Sequence, residues 1–103
     1  MNQRIDQINQ LLQEEPADAF LNYALAMEYL AAGLHEKAIK QLEHLLHLHP
    51  DYLGSYYQLG QLYENTQQKE KAIDTYQKGM ALAKKQGNNK TWGELNTAVE
   101  SMD

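Results

Sequence analysis

The stretch that decides the fold is Tyr56 to Met80, YYQLGQLYENTQQKEKAIDTYQKGM. Thirty-four residues earlier, Asn22 to Leu46 reads NYALAMEYLAAGLHEKAIKQLEHLL, and the two stretches can be laid over each other. Tyr23 falls on Tyr57, Leu25 on Leu59, Tyr29 on Tyr63, Lys37-Ala38 on Lys71-Ala72 and Ile39 on Ile73. Outside the stretch Pro16 falls on Pro50 and Leu48 on Leu82; inside it Ala26 meets Gly60, Leu42 meets Tyr76 and Leu46 meets Met80. Matches this dense, at one offset and in one order, mark an internal repeat.

Each period holds two apolar stripes of helical spacing. Tyr56, Leu59, Gly60 and Tyr63 form one and Ala72, Tyr76, Gly79 and Met80 the next; one period earlier the stripes are Leu25, Tyr29, Ala32 and then Ala38, Leu42, Leu45, Leu46. Gly33 between them suits a helix C-terminus that needs φ > 0, and Pro50 stops the following helix because it has no N–H to donate and restricts His49 before it. The pattern runs on by half a unit at each end. Ile5, Ile8, Leu11 and Leu12 stand one period before Ile39, Leu42, Leu45 and Leu46, so residues 3–15 read as a second helix without its first. Trp92, Leu95 and Val99 read as a first helix without its second, with Thr91 and Glu94 at capping-box spacing for its start and Gly87-Asn88-Asn89 absorbing a two-residue shift of register. The spacing predicts six helices, roughly 3–15, 18–32, 35–48, 52–65, 69–85 and 91–102. Ala26, Ala38, Gly60 and Ala72 are expected where antiparallel helices cross closely. Gly79 in mid-helix costs about 1 kcal/mol against Ala, so a close contact there must offset it.

These residues resemble the tetratricopeptide repeat family, whose 34-residue unit carries W-x2-L-G-x2-Y, a small residue, an aromatic, another small residue and Pro. Tyr56, Leu59, Gly60, Tyr63, Ala72, Tyr76 and Gly79 match, with Lys84 in place of the final Pro. The earlier unit matches through Leu25, Ala26, Tyr29, Ala38, Leu42 and Pro50, and departs with Asn22 for Trp and Leu45 for a small residue. The terminal helix offers Trp92, Leu95, Asn96 and Val99. The resemblance implies an all-α fold, a right-handed α-solenoid of six helices in antiparallel pairs. It implies one domain over 1–103, with an N-terminal half repeat at 3–15, repeats at 17–50 and 51–86, and a C-terminal capping helix at 89–103. Two full and two half repeats supply about the three units such a fold needs to bury its apolar faces.

Composition agrees. The chain has 103 residues, 43% of them hydrophobic and 22% charged, enough for one packed domain. One Val, four Ile and four Thr are few for an all-β protein. The absence of Cys excludes disulfides and thiol chemistry. No window is long and apolar enough for a signal peptide or a membrane span, so a soluble, cytoplasmic protein away from membranes is expected. The net charge of −5 is uneven: residues 1–68 carry nine acidic residues against three basic ones, and residues 69–103 carry six Lys against five acids. That balance argues against nucleic-acid binding, which needs a concentrated basic face.

No catalytic constellation emerges. There is no Gly-rich phosphate loop and no G-x-S-x-G, and Ser55 and Ser101 are the only serines, so the protein is not expected to be an enzyme. His44 and His47 have a spacing compatible with a metal, near His35 and His49. A site needs three or four donors and no H-E-x-x-H accompanies them, so a solvated face and no metal or other cofactor are expected. Lys78, Lys84, Lys85 and Lys90 form a basic end, read as favourable charge near a helix C-terminus.

The resemblance also implies a concave groove lined by the first helix of each repeat. Its positions here are Phe20, Tyr23, Met27, Leu30 and Ala31, then Gly54, Tyr57, Gln61, Glu64 and Asn65. The first set is apolar, and an exposed apolar cluster marks a contact surface. The expected function is non-catalytic: a peptide segment of a protein partner held in this groove, with Phe20, Tyr23, Met27, Leu30 and Tyr57 as anchors and Gln61, Glu64 and Asn65 bonding to its backbone or to a basic side chain. The acidic first 68 residues favour a basic or neutral segment. The alternative is a homo-oligomer, such as a homodimer, that pairs through the groove or the solenoid ends. Some relatives hold acidic chaperone tails in a carboxylate clamp; at the corresponding positions this chain has Tyr23, Met27, Gln58, Lys90 and Glu94, of which only Lys90 fits.

Overall fold

The computed structural model describes residues 2–102. They form six helices and, among the described residues, no strand: α1 (Gln3–Glu14), α2 (Ala19–Ala31), α3 (His35–Leu48), α4 (Gly54–Asn65), α5 (Lys69–Gln86) and α6 (Asn89–Glu100). The chain divides into two compact units, Met1–Tyr52 and Leu53–Asp103.

In the first unit α1 and α3 both pack on α2. The Asn2 side chain starts α1 by accepting from the backbone N–H groups of Arg4 and Ile5, at 3.0 and 3.2 Å. Asp18 starts α2 by accepting from Leu21 N–H at 2.8 Å. Each satisfies donors that have no partner inside the helix. Helix α2 ends in a Schellman turn: Gly33 takes φ 76°, its N–H bonds to Leu30 C=O, and Leu34 N–H bonds to Tyr29 C=O. Ile8, Leu25, Ala26, Ala38, Ile39, Leu42 and Leu45 make the core. Ala26 and Ala38 have no exposed surface, which is why nothing larger stands at the α2–α3 crossing.

Asn22, where the family prefers Trp, is a buried polar residue with every amide group used. Its Nδ2 donates to the carbonyls of Pro16 (3.1 Å) and Asp18 (2.8 Å), and its Oδ1 accepts from Gln41 Nε2 at 2.6 Å. One side chain thus ties the α1–α2 loop to α3.

In the second unit α5 packs on both α4 and α6, around Leu59, Leu62, Tyr63, Ala72, Tyr76, Ala83 and Leu95. The close contact expected at Gly79 is present: a Cβ there would lie 2.7 Å from Tyr56 Cβ and 3.0 Å from Leu95 Cδ1. Large Tyr56 over small Gly79 is reversed in the first unit, where the equivalent positions are small Asn22 and large Leu45, both buried. The two departures from the family pattern therefore exchange volume between the two helices of a repeat.

One expectation is corrected. Helix α6 begins at Asn89, and its cap is Asn88, whose side chain accepts from Thr91 N–H at 3.0 Å; Thr91 and Glu94 form no capping box. Gly87, at φ 72°, turns the chain so tightly that helix geometry resumes two residues sooner, and Asn is the stronger cap.

Candidate functional site

The residues expected to line the groove lie on α2 and α4, and none belongs to the fully buried core. On α2 they share one helical face, because steps of three and four residues keep a face; it turns away from buried Leu25, and buried Ala26 borders it between Tyr23 and Leu30. Phe20 projects furthest, with 72% of its surface exposed, and Tyr23, Met27 and Leu30 are half-buried. Ala31 is exposed. The Tyr23 ring leans on Tyr52, with centroids 5.3 Å apart and planes tilted by 35°. Tyr52 was not among the expected residues. One period earlier its position is the helix cap Asp18, so the repeat itself held no signal for it. At the edge of this face Glu28 pairs with Arg4 of α1 at 3.2 Å.

On α4 the surface is polar. Tyr57 is half-buried, Gln61 and Asn65 are exposed, Glu64 is half-buried and Gly54 is exposed. Gln61 Nε2 donates to the Tyr57 hydroxyl at 3.1 Å, a contact one helical turn apart. The Tyr57 ring stands 6.2 Å from the ring of Tyr76, tilted by 47°. Tyr76, on α5 and fully buried, donates its hydroxyl to Glu64 Oε2. Burial pushes the Tyr76 phenol well above its ordinary range, and the hydrogen bond to Glu64 and the charge of that carboxylate push the same way. The hydroxyl therefore stays protonated and holds Glu64 in place. Sequence reasoning placed Tyr76 in the core; that it also anchors a groove carboxylate needed the α4–α5 crossing.

The remaining candidates scatter. His35, His44 and His47 are exposed, and His49 Nε2 is bonded to the Ala17 carbonyl. Among the described residues no group of three or more His, Cys, Asp or Glu is placed to hold a metal. Lys84, Lys85 and Lys90 are exposed at and beyond the end of α5. Lys37 and Lys71, one period apart, each lie over a tyrosine ring, Tyr29 at 5.8 Å and Tyr63 at 5.7 Å. A contact repeated at the period belongs to the scaffold rather than to a site. Of the helices described, none is long and apolar enough to cross a membrane.

Family models of the tetratricopeptide repeat match residues 19–62 and 53–86. The solution structure of a tetratricopeptide repeat domain protein from Salinibacter ruber is 41% identical, over 84% of this chain and 87% of that one, with a TM-score of 0.79. The chain belongs to the tetratricopeptide repeat family. Two further structures share the repeat fold. The Sgt2 TPR domain from Aspergillus fumigatus is 26% identical, with a TM-score of 0.69 over 96% of this chain and 70% of that one. PcrH, solved in complex with the chaperone binding region of PopD, is 14% identical, with a TM-score of 0.86 over 94% of this chain and 74% of that one. No curated protein sequence matches this chain. In this tetratricopeptide repeat protein the exposed aromatics include Phe20 on α2 and Trp92 on α6.

Proposed function

We propose that this chain is a non-catalytic protein-interaction module that takes peptide segments of a protein partner on the exposed face of α2 and on that of α4, without metal or cofactor. The observation that carries the reading is Phe20, a large aromatic left 72% exposed beside half-buried Tyr23, Met27 and Leu30. An apolar cluster of this kind is costly to leave in water and supplies the anchors that dominate interface energies. Tyr57, Gln61, Glu64 and Asn65 would orient the segment through hydrogen bonds. The PcrH structure, with its PopD region bound, supports the reading by fold alone. The excess of acids in residues 1–68 favours a basic or neutral segment over an acidic one.

The test is a pull-down with the wild type and with Phe20→Ala, Tyr23→Ala and Met27→Ala, each checked to be folded by a cooperative melt. Specific partners that survive all three changes would place binding elsewhere. If the changes instead convert a dimer to a monomer in light scattering, the face serves self-association.

A further inference from the structure

Glu64 is the penultimate residue of α4. A carboxylate at a helix C-terminus faces the negative end of the macrodipole and gains nothing from its own helix. It is nevertheless half-buried and held by the hydroxyl of fully buried Tyr76. The ion pairs of Arg4 with Glu28 and of Lys78 with Asp74 do not involve it. Glu64 opens onto a surface depression that it lines with Gln67, Lys69 and Met102.

The surroundings select for positive charge. Gln67 follows the end of α4 and Met102 the end of α6, so two helix C-termini border the depression, against one N-terminus, that of α5. Lys69 shares the rim but is exposed, and its flexible stem lets the ammonium swing out into water. Met102 offers the apolar contact along which the methylene stem of a long cationic side chain lies. A backbone N–H would also bond to Glu64, but a half-desolvated carboxylate gains most from a charged donor.

We infer that Glu64 is the receptor for a lysine or arginine side chain of the partner's segment, a subsite that rests on the proposed use of the α4 face. Tyr76 is its positioning residue, fixing the carboxylate from beneath. The experiment passes libraries of short peptides over the immobilised full chain. Each library fixes one central residue as Lys, Arg, Glu or norleucine and leaves the others degenerate. Wild type is expected to retain the Lys and Arg libraries about tenfold better than the norleucine library, the ratio one good charge pair provides. Glu64→Gln should abolish that preference while retaining norleucine peptides as wild type does, and Asp74→Asn should leave it intact. Glu64→Lys, a second variant should the first fail to fold, should shift the preference to the Glu library. A Lys and Arg preference that persists in Glu64→Gln, or that wild type lacks while it still retains peptides, overturns the subsite and leaves the broader reading standing. Retention of no library overturns the peptide-binding reading itself, and equal retention by Phe20→Ala and Tyr23→Ala overturns the part assigned to the α2 face.

Discussion

Gly60 of α4 lies directly beneath the ring of Tyr76 on α5: a Cβ built on Gly60 would come within 2.6 Å of Tyr76 Cδ1. The ring has no exposed surface and therefore nowhere to retreat. Gly60→Leu is expected to destabilise the protein by about 3 kcal/mol or more, through overpacking of a closed crossing. Tyr57→Ala, which removes a half-buried ring tilted against Tyr76, should cost about half as much. Urea unfolding monitored by circular dichroism measures both, and equal losses would show that the face assigned to Tyr57 is wrong.

Gln67 stands where the first repeat has Gly33. Both take positive φ, 65° and 76°, and both close Schellman turns: Gln67 N–H bonds to Glu64 C=O and Gln68 N–H to Tyr63 C=O. A side chain in the left-handed region costs about 1–2 kcal/mol, partly offset by the greater unfolded-state freedom of glycine. Gln67→Gly should therefore raise stability by about 0.5–1 kcal/mol. An unchanged or lowered urea midpoint would contradict this.

Ser55 is completely buried and its hydroxyl has no hydrogen-bond partner. Removing an unsatisfied buried hydroxyl recovers its desolvation cost, so Ser55→Ala should stabilise by about 1 kcal/mol. A loss of stability would mean that the hydroxyl is satisfied in solution.

Tyr76 makes stability fall in alkali. Its phenol is raised above the ordinary value of 10.0, chiefly by burial. Above that pH the unfolded chain gives up the proton while the folded chain keeps it, so the folded state binds more protons and stability decreases as pH rises. The slope contributed by this one group approaches about 1.4 kcal/mol per pH unit. Tyr76→Phe has no proton to lose, and the stability gap between wild type and this variant should narrow between neutral pH and pH above the unfolded value. A gap that stays constant would show that the phenol is not protected.

Phe20 and Tyr23 separate binding from folding. Phe20 is mostly in water, so Phe20→Ala should leave the melting temperature nearly unchanged and weaken partner binding by about 1–2 kcal/mol. Tyr23 leans on Tyr52, so Tyr23→Ala should cost about 1 kcal/mol of stability as well. Titration calorimetry with a captured partner segment and thermal melts distinguish the two.

Local physics explains what could be read without coordinates. Helix periodicity, glycine at Gly33 and Gly87 and proline at Pro50 act within a few residues, so six helices and a 34-residue repeat are legible in the chain itself. The family resemblance marks side chains that leave the core, since Phe20, Tyr23, Met27, Leu30, Tyr57, Gln61, Glu64 and Asn65 are all at least partly exposed. Pairings across helices are another matter. Tyr52 under Tyr23, Gln41 on Asn22 and Tyr76 on Glu64 join residues far apart in sequence, and each depends on how two helices cross and which rotamer the crossing admits. The start of α6 shows the same limit at short range: Thr91 and Asn88 both offer capping oxygens, and the turn at Gly87 decided between them. The helices, their order and their faces follow from spacing along one chain and are therefore written in the residues alone. Which polar group each face holds rigid emerges when the helices pack, because a hydrogen bond is made by atoms in space and has no period.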